Sequence, residues 1–70
     1  MDGIVKAMRR GGWSGRGVIS DIQHGQLLET QIGPRAFPSR DAAVEWLRRI
    51  AQERQVELSL LIATPAAGRD

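Results

Sequence analysis

The chain has 70 residues, with ten Lys/Arg against eight Asp/Glu and no cysteine. That length allows one domain, and without cysteine there is no disulfide framework and no thiolate metal site. A net charge of +2 is a mixed, soluble balance rather than the dense basic face of a dedicated nucleic-acid binder.

The N-terminus, MDGIVKAMRR, has an acidic residue before its apolar stretch and lacks the small-residue cleavage site of a signal peptide. No apolar run reaches the roughly 20 residues that span a bilayer. The expectation is a cytoplasmic domain that makes no membrane contact. Residues 4–8, IVKAM, fit a strand or a helix equally well.

Residues 9–17 read RRGGWSGRG. The glycine spacing is G-x-x-G-x-G, neither the dinucleotide fingerprint nor a Walker loop, and no helix follows it. Lys6, Arg9, Arg10 and Arg16 place four cations near Trp13. Two readings stand open. In one, Trp13 is an exposed platform for stacking a base, with Arg9, Arg10, Arg16 and Arg35 neutralising phosphates. In the other, Trp13 folds back as a core plug, since tryptophan is seldom left in water.

Residues 16–22, RGVISDI, and 26–32, QLLETQI, predict two strands joined by a three-residue loop, Gln23-His24-Gly25. Val18, Ser20 and Ile22 then share a face with Leu28, Thr30 and Ile32. Gly33-Pro34-Arg35 ends the second strand, and Ala36-Phe37 sets Phe37 onto the next element. DAAVEWLRRIAQER predicts a helix over 40–54 with Ser39 as its N-cap. Ala43, Trp46, Leu47, Ile50 and Ala51 form one apolar stripe along it. VELSLLI, 56–62, alternates as a half-buried strand, while Pro65 opens a tail over 65–70 that is expected to be disordered.

The predicted fold is α+β, a small antiparallel sheet of three to four strands with one helix on one face, in the order β-β-α-β. Residues 1–64 form one domain. The other sheet face stays open, with Ile19, Leu27 and Leu61 on it.

A GGW-x-x-R start, a hairpin and then FPSRDAAVEWL resemble the arm-type DNA-binding modules at the N-termini of phage-type tyrosine recombinases. Trp13 and Arg16 match the start of the first strand of such modules. Phe37, Ala43 and Trp46 match the residues that pack their helix, and the likeness covers about residues 12–50. It implies a three-stranded sheet backed by one helix, with the sheet face entering the major groove. The strand at 56–62 has no place in that pattern, and Asp21 and Glu29 would repel phosphate.

Catalytic chemistry finds little support. His24 falls in a loop beside Gly25, and no serine, histidine and carboxylate gather by spacing. The carboxylates fall on outward faces or caps, and no metal-ligand or cofactor pattern is present. The expected function is therefore non-enzymatic binding through protein–protein contact or self-association as a homodimer. Leu58, Leu60, Leu61 and Ile62 are the candidate contact residues, because an apolar edge strand invites pairing. The alternative is a DNA- or RNA-binding module that uses the basic N-terminal segment and the sheet face.

Overall fold

The computed structural model describes residues 1–64. The elements are β1 (Asp2–Ala7), β2 (Trp13–Gln23), β3 (Gln26–Phe37), α1 (Arg40–Glu53) and β4 (Ser59–Ala63). They form one four-stranded sheet in the order β3-β2-β1-β4, with α1 packed on one face. The α+β class and the single covering helix agree with the sequence. The expected tail over 65–70 lies outside the described residues.

The ambiguous IVKAM segment belongs to a central strand. Gly3 and Val5 of β1 are buried towards α1, while Ile4 and Lys6 point the other way. The element order is therefore β-β-β-α-β. The sheet is mixed rather than wholly antiparallel. β1 pairs antiparallel with β2, but β4 lies parallel to β1, with Gly3 opposite Leu60 and Val5 opposite Ile62. Helix α1 carries the chain from one outer strand, β3, across the sheet to the other, and such a crossover is what permits parallel pairing. β4 starts three residues later than the alternation suggests. Val56 is still tied to the helix end, its N–H donating to the Ala51 carbonyl at 3.0 Å.

The β2–β3 turn is shorter than expected. Gln23 pairs with Gln26, which leaves a two-residue loop, His24-Gly25, with φ of 53° and 77°. Two consecutive positive φ values are the pattern of a type I′ turn, which suits the strand twist and favours glycine at its second position. Removing one residue from the loop shifts the register by one and exchanges the faces of β3. Val18, Ser20 and Ile22 thus stand opposite Gln31, Glu29 and Leu27, not beside Leu28, Thr30 and Ile32. Ile19, opposite Thr30, lies on the helix side of the sheet, so of the three expected open-face residues only Leu27 and Leu61 are there.

Gly33-Pro34 does not end β3. Two residues of β2, from Gly15 to Gly17, span three of β3, from Arg35 to Ile32. The extra residue is a β-bulge, which Gly33 accommodates at φ 83°. β3 then runs on to Phe37, opposite Trp13.

Ser39 caps α1 as expected, its Oγ accepting from the Ala42 N–H at 3.2 Å. Val5, Ala43, Leu47 and Ala51 are the buried core. Met1, Trp13, Phe37, Val44, Trp46, Leu58 and Leu60 pack around it. Two glycines of RRGGWSGRG seat the helix. A Cβ at Gly15 would stand 3.2 Å from the Phe37 ring and 3.4 Å from both Ala43 and Trp46, and one at Gly17 would stand 3.4 Å from Leu47. The other two, Gly11 and Gly12, lie in the turn between β1 and β2, where the Gly11 N–H donates to Met8 and the Met8 N–H to Gly12.

Helix and hairpin differ in length. Fourteen helical residues cover about 21 Å at 1.5 Å each. The twelve residues of β3 run to about 40 Å at 3.4 Å each. The far half of the β2–β3 hairpin therefore extends beyond the helix as a two-stranded arm, and every residue from 20 to 31 is exposed. The molecule measures 47 × 23 × 16 Å as a result.

Candidate interaction surface

The sheet face opposite α1 is uncovered among the described residues. Its rows follow from the pairing: Lys6 with Ser14, Ile4 with Arg16 and Leu61, Asp2 with Val18 and Ser59. Further along the arm come Ser20 with Glu29 and Ile22 with Leu27. Ile4, Lys6, Ser14, Arg16 and Pro34 line a shallow hollow of about 270 Å³ on this face. Lys6 and Arg16 make no ion pair among the described residues.

The two edges of the sheet differ. β3 carries Glu29, Pro34, Arg35 and the bulge, and such features discourage pairing with another chain. β4 reads SLLIA, with no charge and no proline. Of the four candidate contact residues, Leu61 and Ile62 are exposed, at 61% and 42%. Leu58 and Leu60 are half-buried against the core. Beside this edge, Arg48, Ala51, Gln52, Val56 and Leu58 contribute to an open groove of about 420 Å³ between the helix and the approach to β4.

The basic candidates are not brought together. Arg9 and Arg10 are exposed in the β1–β2 turn, and Arg16 is exposed on the open face. Arg35 lies on the helix side, its guanidinium 5.5 Å from the centre of the Phe37 ring. Trp13 is half-buried and packs on the core opposite Phe37. Phe37 in turn meets Trp46 at 5.2 Å between ring centres. The aromatic side chains thus belong to the helix-facing layer, and Trp13 takes the position of a plug.

His24 sits exposed at the hairpin turn. No group of three or more His, Cys, Asp or Glu gathers as a metal site among the described residues, and no helix there is long and apolar enough to cross a membrane. Sequence reasoning found β4 but missed the arm, whose Ile22, Leu27 and Leu28 are 73%, 65% and 44% exposed. Compared with protein-family models, curated proteins and solved structures, the chain matches none.

Proposed function

We propose that the protein is a small binding module that works by protein–protein association, with a second copy of itself as its first partner. One observation carries this reading. Among the described residues the sheet has a helix on only one face, and its uncovered side meets the β4 edge at Leu61. An apolar residue so placed loses exposed surface whether a partner adds a strand to β4 or lies across the face. The shallow hollows and the absence of a catalytic grouping among the described residues favour surface work over chemistry.

The test is sedimentation equilibrium over a wide concentration range. The wild type is expected to associate reversibly, and Leu61→Lys to weaken association by about tenfold or more, since an edge lysine is a natural guard against strand pairing. Leu61 lies outside the core, so circular dichroism should be unchanged. A wild type that stays strictly monomeric overturns the proposal.

A second reading, nucleic-acid binding, draws support from the four cations Lys6, Arg9, Arg10 and Arg16 on the β1–β2 turn and the strand rows next to it. With Trp13 packed on the core, such binding would rest on phosphate contacts alone, and affinity would fall steeply with salt. Raising salt from roughly 50 to 150 mM should cost about 30-fold if three to four phosphates are neutralised. Fluorescence anisotropy with a labelled duplex measures this, and flat, salt-independent readings at micromolar protein would refute it.

A further inference from the structure

The arm is the least explained part of the molecule. An isolated two-stranded ribbon is marginal in water, yet this one projects with Ile22 and Leu27 side by side and largely exposed. Its chemistry is also one-sided. Residues 18–32 contain Asp21 and Glu29 and no lysine or arginine. Asp21 is occupied locally, its carboxylate accepting from the Ile22 N–H at 2.9 Å and from the Gln23 side chain at 3.2 Å. Glu29 stands opposite Ser20, in the row next to Ile22 and Leu27 on the open face.

The other end of the same face has the complementary set. Ile4 and Leu61 supply apolar surface, and Lys6 and Arg16 line the hollow beside them with no acidic lining residue. Between the two ends stands Asp2, opposite Val18, which repels Glu29 from the middle of the face. Along β2 the Arg16 row and the Ile22 row are six residues apart, about 20 Å.

We infer that two copies associate face to face, each laying its acidic, apolar arm on the basic, apolar end of the other's open sheet face. With the two faces running antiparallel, the Ser20–Glu29 row lies on the Ile4, Arg16 and Leu61 row of the second copy, so Glu29 meets its Arg16, and Ile22 and Leu27 fall one row further out, against the aliphatic stem of its Lys6. The same patches serve both copies, so a two-fold axis closes the pair and leaves no end free for further growth. Two sheets pack in this way about 10 Å apart with their strands within about 30°. The broad side of the molecule, 47 by 23 Å, is large enough for the about 800 Å² per partner of a stable interface. This inference rests on the self-association proposed above and adds its geometry.

The test is a charge swap read by sedimentation equilibrium. Glu29→Arg and Arg16→Glu are each expected to weaken the dimer by about tenfold, and the double variant to recover most of that loss, as coupled residues do. Both positions are exposed, and circular dichroism checks that each variant folds. Association should also weaken with salt. If the wild type dimerises and Leu61→Lys does not, yet Glu29→Arg dimerises like the wild type, the arm geometry is wrong while self-association stands. A monomeric wild type removes both. Association that appears only on adding duplex DNA also overturns the inference, since nucleic acid then bridges the copies.

Discussion

Replacing Leu47 by alanine is expected to cost the domain about half of its stability. Leu47 has no exposed surface and is one of four buried core residues among the described residues. Its two methyl groups occupy the space over two glycines: a Cβ at Gly3 would stand 3.1 Å from one, and a Cβ at Gly17 3.4 Å from the other. Directly beneath it the strands offer no side chain, and only Met1, Leu58 and Leu60 at the margins could fill part of the void. Truncations of this kind cost about 2–5 kcal/mol, with the larger values where the site cannot collapse. A domain of 70 residues has about 4–10 kcal/mol in total. Urea denaturation followed by fluorescence of Trp13 and Trp46 measures the loss. A cost below about 1 kcal/mol would contradict the packing described.

The second large effect is expected from the opposite change, Gly15→Val. Here the fault is excess volume. The Cβ would press on the Phe37 ring at 3.2 Å and on Ala43 and Trp46 at 3.4 Å, and the two γ-methyls have nowhere to go but into the helix. Overpacking of this sort costs about 1–3 kcal/mol. The helix would have to lift, and Trp46 would become more exposed, so the variant should show both a lower melting temperature and red-shifted emission. Gly15→Ala should cost less, because the neighbours need give only a few tenths of an ångström. Equal stability of Gly15→Val and the wild type would mean that the helix does not rest on β2.

These two residues also show why parts of the fold were legible and others were not. The helix was readable because its signals are local: Pro38, the Ser39 cap and a stripe at 43, 46, 47, 50 and 51 all agree. The hairpin was readable as a hairpin but not in register, because register turns on whether Gln23 belongs to the loop or to the strand. Gly33-Pro34 carries the signature of a break, and only pairing with β2 turns it into a bulge. β1 is short enough that IVKAM satisfies both periods, and its place at the centre of the sheet comes from contacts with residues far along the chain.

The candidate surface divides the same way. β4 was visible as an apolar alternating run, although of the four candidate residues Leu58 lies ahead of the strand and both it and Leu60 pack on the core. The arm was not, because alternation says which face a side chain takes and nothing about how far the covering helix reaches. Ile22, Leu27 and Leu28 look like core residues in sequence; Leu28 is exposed because the helix stops short of it, and Ile22 and Leu27 because they lie on the uncovered face. Trp13 shows the converse. Its arginine and glycine neighbours suggest a binding platform, while its pairing with Phe37 makes it a structural residue.

The chain divides just beyond Val18, past the bulge, into two parts that obey different constraints. Up to there, β2 is held between β1 and β3 and seats the helix through Gly15 and Gly17. Beyond it, spacing answers only to the I′ turn and to cross-strand neighbours, so the ribbon can grow or shrink by one residue pair from each strand while inward and outward faces keep their assignment. Reach is thereby uncoupled from folding, and a lineage could tune how far the projection extends without reopening the problem of how the core is packed.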